Sequence, residues 1–239
     1  MFLSVALSGL LGIIPVNTTF VDNFDYLDSE QWVVSTWQSP GNINSNIGIF
    51  DADNVSIVDG YLRLELNQYM DSDDNIISIG GEVSTNREFG YGVYEFRMRA
   101  GSTSPSPYGE GESISGGISA AFVYRSGAET EIDFEFEGQN YITHLLSWSN
   151  GHRRDWTAAE IGSGHENFHT YQIVWRPDSI TFYRDDVLIG QHFDRIPDSP
   201  AHMLFNHWGT HNQWWGGLST LNVPRYVYVD YFQFTPIER

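Results

Sequence analysis

Glu131-Ile132-Asp133-Phe134-Glu135-Phe136-Glu137 alternates acid and apolar side chains without a break. A period of two is that of a β-strand, so one face carries every acid and the other only apolar groups. The apolar face needs a second layer to cover it, while the acid face needs water or a ligand. This asymmetry predicts a sheet packed on another sheet, with the acids on the open side. Carboxylates crowded side by side repel one another, which raises some of their pKa values and leaves others ionised. A row of this kind costs stability and so points to a chemical use; the plain alternative is the hydrated face of a very acidic protein.

The flanking sequence reads the same way. Trp, Tyr and Phe make up 15% of the chain, and their runs with Val and Ile are cut short by Gly, Asn, Asp and Pro, which is strand-and-turn composition. Val55 to Leu66 alternates around Asp59-Gly60, a two-residue hairpin signal. Gly80 to Ala100 reads as a second hairpin turning at Gly90 and Gly92. Residues 101–117 are almost entirely Gly, Ser, Pro and Glu, hence a loop. Ile118 to Tyr124 precedes the acidic segment across a Ser126-Gly127 turn. Tyr171 to Trp175 and Ile180 to Tyr183 flank Pro177-Asp178, Asp185-Asp186 leads into Val187 to Ile189, and His202 to Trp208 and Tyr226 to Phe234 complete the strands. Without long helical periodicity, an internal repeat or a dividing linker, the expectation is an all-β sandwich of two antiparallel sheets, one domain over 17–239.

Composition narrows the partners. A formal charge of −19 would repel nucleic acid and anionic membrane surfaces, so a neutral ligand is expected; the chain is expected to be a monomer. The chain has no cysteine, which removes disulfides and thiolate metal sites. Met1 to Val16 is apolar but lacks Lys and Arg; it reads as the remnant of a signal peptide or as a buried first strand, and the first reading implies a secreted, extracellular protein.

The acid row suits one chemistry well. Retaining glycoside hydrolysis needs an ionised carboxylate as nucleophile and a protonated one as acid, about 5–5.5 Å apart. Glu131 and Glu135 lie on one face at roughly 13 Å between Cα atoms along a flat strand, a gap that two leaning side chains on a concave sheet largely close. Asp133 between them can set which partner keeps a proton. Glu137 extends the row and is assigned no role.

Glu131-Ile132-Asp133-Phe134-Glu135-Phe136 resembles the catalytic strand of glycoside hydrolase family sixteen. Gly81-Glu82 and Phe89-Gly90-Tyr91-Gly92-Val93-Tyr94-Glu95-Phe96-Arg97-Met98 are similar to the family's segment before that strand. Phe168-His169-Thr170-Tyr171 and Trp175-Arg176-Pro177-Asp178 are similar to the segment after it. The likeness runs from about Phe20 to Phe234. It implies a β-jelly-roll sandwich with a concave polysaccharide cleft and no catalytic cofactor, Glu131 as nucleophile, Asp133 as helper and Glu135 as acid/base. The single Phe134 between Asp133 and Glu135 is the regular-strand form of lichenases and xyloglucan enzymes.

The resemblance also implies substrate contacts at Glu82, Tyr124, Asn206, Trp208 and Trp214, and a structural calcium bound at Asp230 and the Gly60 carbonyl. Departures from lichenases are Ser84 for an Arg, Glu129-Thr130 for Trp-Asp, and Ala121 at the next cleft aromatic. The expected activity is a retaining endo-β-glucanase acting on β-1,3-1,4-glucan. Hydrolysis or transglycosylation of xyloglucan, laminarin or a marine galactan, and a non-catalytic carbohydrate-binding sandwich, stay open. His165 and His169 read as structural, whereas His207 and His211 beside Asn206 are candidates for sugar hydroxyls.

Overall fold

The computed structural model describes residues 18–42, 46–139, 142–160 and 164–237. The leader-or-strand segment 1–16 lies outside them. In chain order the strands begin with β1 (Phe20–Asp22), β2 (Trp32–Val34), β3 (Asn46–Phe50), β4 (Val55–Val58), β5 (Tyr61–Met70) and β6 (Ile76–Phe89). Then come β7 (Gly92–Ser102), β8 (Gly117–Tyr124), β9 (Thr130–Glu137), β10 (Ile142–Ser149) and β11 (His152–Glu160). β12 (His169–Arg176), β13 (Ser179–Arg184), β14 (Val187–His192), β15 (Ala201–Gly209) and β16 (Arg225–Pro236) complete the described chain.

The layer bearing the acids runs β11-β10-β9-β8-β15-β6, with β2 also on β6. Opposite it runs β5-β16-β7-β12-β13-β14, with β4 on β5 and β1 on β16. Asn67–Met70 of β5 pairs with Ile76–Ile79 of β6, which joins the two layers at one edge. This is the expected sandwich, with two corrections. β3 lies parallel to the first part of β6, because the β4–β5 hairpin between them gives the chain room to cross over and return in the same direction. β6 and β7 are not a hairpin: β6 pairs with β15 and β7 with β16 and β12, so Gly90-Tyr91 carries the chain from one layer to the other. The Asp59-Gly60 hairpin is as read, with both residues at positive φ (54° and 79°), the backbone of a two-residue turn.

The two faces of β9 explain its sequence. Ile132, Phe134 and Phe136 point between the layers and are sealed from solvent. Phe134 meets Phe96 of β7, Tyr171 of β12 and Phe182 of β13 edge-on, at ring distances of 5.7, 5.3 and 5.3 Å. Burying one such ring stabilises the fold by roughly 2–3 kcal/mol, so β9 is clamped by its apolar side while its acids face outward. The loop 103–116 is moulded on buried arginine: Arg99 donates to the carbonyls of Ser106 (2.8 Å), Gly109 (2.8 Å) and Pro107 (3.3 Å), and Arg225 to that of Ser115 (3.0 Å).

Candidate active site

Strand register builds the site. Tyr124, Glu131 and Trp148 stand in one transverse row across β8, β9 and β10. Phe122, Asp133, Leu146 and Trp156 form the next row, which reaches β11. The third contains Glu82, Asn206, Ala120, Glu135 and His144 across β6, β15, β8, β9 and β10. Paired residues share a face, so Glu131, Asp133, Glu135 and Glu137 open toward one cleft.

Two cavities meet the acid row from opposite sides. One of about 590 Å³ is lined by Glu131, Glu82, Asn206, Tyr124, Phe122 and Trp37, among others. The other, about 220 Å³, is lined by Glu135, His144, Arg153, Trp156, Trp214 and Trp215, with Leu146. The nucleophile candidate therefore faces one chamber and the acid candidate the other.

Burial sets the protonation of the row. Glu131 is pushed up to about 7 by desolvation. Glu135 is pushed higher, to about 8, by desolvation and then by the charges of Glu131 and Glu137 on either side of it. Asp133 is raised well above the carboxylate range by burial and by both neighbours. Glu137 behaves oppositely: burial raises it, but hydrogen bonds from His144 (2.5 Å), the Gly216 N–H (3.1 Å) and Gln139 (3.3 Å) outweigh burial and hold its pKa below the usual value. Ordered this way, Glu131 ionises before Glu135, the division of labour that acid-assisted displacement requires.

The predicted contact residues fare differently. Glu82 is buried and accepts from Ser35 Oγ (2.6 Å) and Asn206 Nδ2 (3.0 Å); desolvation raises its pKa against those two bonds. Asn206 Oδ1 is buried without a hydrogen-bond partner. Tyr124 lines the larger chamber, and Trp214, 83% exposed, lines the smaller one. Trp208 is brought to the same face but is 4% exposed, packed on Phe50 and Ile118 with Trp215 edge-on at 5.7 Å, so it supports the cleft floor and offers no free ring face.

His207 is turned between the layers, its Nδ1 3.4 Å from the Leu64 carbonyl, because it alternates with Asn206 and Trp208 along β15. It is removed from the candidates for sugar hydroxyls. Ala121 likewise faces the core, and the cleft position is taken by Phe122. The alternation of β8 could have revealed this. The sequence does not mark Trp37, His144, Arg153 or Trp156 as cleft residues: Trp37 lies in a loop, and the other three reach the site only through the pairing of β9, β10 and β11.

At the expected calcium position Asp230 already has a cationic partner. The Asp230 carboxylate lies 2.5 Å from Arg97 Nη1, so a guanidinium already matches its charge. No cluster of three or more His, Cys, Asp or Glu able to hold a metal occurs among the described residues.

A two-layer sandwich that presents a row of carboxylates to two open chambers has the layout of a glycoside hydrolase. The glycosyl hydrolases family 16 model matches residues 44–223, and the chain belongs to that family. It is 31% identical to the endo-1,3-1,4-beta-glycanase ExoK of Rhizobium meliloti, over 91% of this chain and 78% of the relative. A beta-glucanase of Brevibacillus brevis is 28% identical, over 94% of this chain and 84% of the relative. Among solved structures, a prokaryotic beta-1,3-1,4-glucanase (lichenase) from a mouse hindgut metagenome superposes with a TM-score of 0.77 at 26% identity, covering 92% of this chain and all of that one.

Proposed function

We propose that this chain is a retaining endo-β-glucanase with β-1,3-1,4-glucan as its substrate. The observation that carries the reading is the division of the cleft: Glu131 lines one chamber and Glu135 the other, along one row of carboxylates. The relatives named for β-1,3-1,4-glucan support the choice of polymer.

In the first step a Glu131 oxygen attacks the anomeric carbon, the bond to the leaving oxygen breaks, and Glu135 gives that oxygen its proton. In the second, Glu135 takes a proton from water, the water oxygen bonds to the anomeric carbon, and Glu131 departs as carboxylate. Two inversions retain configuration. Asp133, its ionisation opposed by burial and by the charges of Glu131 and Glu135, leaves Glu131 to carry the negative charge. Glu82, Asn206 and Tyr124 bind the glycone: the unpartnered Asn206 Oδ1 can accept from a sugar hydroxyl, and Tyr124 and Phe122 present ring faces to its C–H surface. Trp214 stacks on the far side of the scissile bond.

A polymer too large to cross a membrane and the apolar Met1–Val16 both favour action outside the cell. The arginine on Asp230 leaves calcium no part in this reading.

Reducing-end release measured on a panel of barley β-glucan, laminarin, xyloglucan and agarose tests the substrate. Turnover of barley β-glucan with a fall in product size is expected; activity confined to another polymer overturns the assignment. Glu131→Gln should lower kcat by at least about 10³-fold, and an unimpaired variant would remove Glu131 as nucleophile.

A further inference from the structure

Glu137 is a fully placed carboxylate for which the two-step reaction has no use. It is 3% exposed and carries its charge at the end of the acid row. What it holds is informative. On one side its Oε1 is 2.5 Å from His144 Nε2. His144 Nδ1 in turn accepts from Trp156 Nε1 at 3.0 Å, which assigns the ring proton to Nε2, where it is donated to Glu137. The imidazole also stacks on the Trp156 ring at 5.8 Å and 21°.

On the other side Glu137 Oε2 accepts the Gly216 N–H, one residue from Trp215, while Gln139 bridges from Glu137 to the Gln213 carbonyl (3.1 Å). Both aromatic walls of the smaller chamber, Trp156 on β11 and the Trp214-Trp215 loop, are thus fastened to a single carboxylate. Glu135 stands between them, directly across from His144.

The chamber's contents follow from the chemistry of Glu135. An acid that protonates the departing oxygen faces the leaving group, whereas the glycone stays on the nucleophile's side. Trp156 and Trp214 are 50% and 83% exposed, so both present aromatic surface to a pyranose, Trp156 beside the His144 ring that braces it. Arg153, whose guanidinium carbon lies 6.0 Å from the Trp156 ring centre, adds hydrogen-bond donors at the rim.

We infer that Glu137 is the positioning residue of a leaving-group subsite, holding Trp156 through His144 and the Trp214-Trp215 loop through Gly216 so that a neutral sugar is gripped in front of Glu135. This rests on the hydrolase reading and adds to it the side of the scissile bond on which the chain's own aromatics act. It also gives a role to the fourth acid of the row.

The test compares two substrates. Barley β-glucan places a sugar in the subsite; a nitrophenyl cello-oligosaccharide places only an aryl group there. For Glu137→Gln and Trp156→Ala, kcat/KM on the polysaccharide should fall about tenfold more than on the aryl substrate, chiefly through KM. Trp156→Phe, which keeps a ring but loses the N–H to His144, should recover part of that loss. Trp156 is half-exposed on an edge strand, so its variants serve even where Glu137→Gln does not fold.

Equal losses on both substrates, or no loss on either, overturn the subsite. A wild-type enzyme inactive on both overturns the hydrolase reading instead. The subsite is then judged by titrating cellotetraose against tryptophan fluorescence: weaker quenching in Trp156→Ala supports it, and an unchanged titration removes it.

Discussion

The four carboxylates of β9 have different surroundings, and the surroundings sort their protons. Glu135 has a charged neighbour on each side and little water; Glu137 has three hydrogen-bond donors. For the free enzyme kcat/KM should therefore be highest between about pH 7 and about pH 8, with an acid limb from Glu131 and an alkaline limb from Glu135. A pH–rate profile with its optimum near 5 would contradict this order. Stability has the opposite sign from that of a salt-bridged acid. Unfolded, Glu131, Asp133 and Glu135 titrate near pH 4. Folded, all three are raised, so the native state binds more protons than the unfolded chain from about pH 4 up to the folded pKa values, and stability falls as pH rises through that window. Glu135→Gln removes one of these groups. Its Tm should exceed the wild type's by more at pH 8 than at pH 5, and an equal gain at both would refute the burial of Glu135 as the cause.

β9 shows how one strand serves stability and chemistry together. Its inner residues were legible in the sequence because strict alternation admits a single face assignment. Phe134 is the test: it is enclosed by Phe96, Tyr171 and Phe182, and Phe134→Ala should cost about 3–5 kcal/mol in denaturant unfolding. A loss below about 1 kcal/mol would mean the ring is not clamped. Neighbouring strands were less legible. On β8 the expected cleft position fell at Ala121, yet the pairing of Phe122 with Asp133 makes Phe122 the exposed ring. On β15 the same alternation sends His207 inward beside Asn206 and Trp208. The turn at Gly90-Tyr91 shows the limit most clearly, because a glycine-rich break between two strands fits a hairpin and a crossing between layers equally well. Only the partners of β6 and β7 distinguish them.

Within the second layer, the pairing of β7 with β16 places Asp230 beside Arg97, and this bears on ion dependence. An exposed pair of this sort contributes about 0–1 kcal/mol, but it removes the uncompensated charge that a cation would need. Millimolar calcium added after chelation should move Tm by less than about 2 °C, as read by calorimetry; a rise of 5 °C or more would show an ion site formed by other groups. The acidic balance of the chain and its lack of cysteine were fixed by composition, as were the strands, because periodicity is local and survives without a fold. The carboxylate row and its face were also determined by the sequence, since a spacing of two along one strand needs no partner to be read, and the resemblance of the surrounding motifs supplied the reaction class. What tertiary structure alone decided is everything that depends on register between strands: Asn206 against Glu82, and Trp156 reaching Glu137 through His144. Hydrogen-bonded pairing brings those residues together from distant parts of the chain, and no local pattern records which strand will lie beside which.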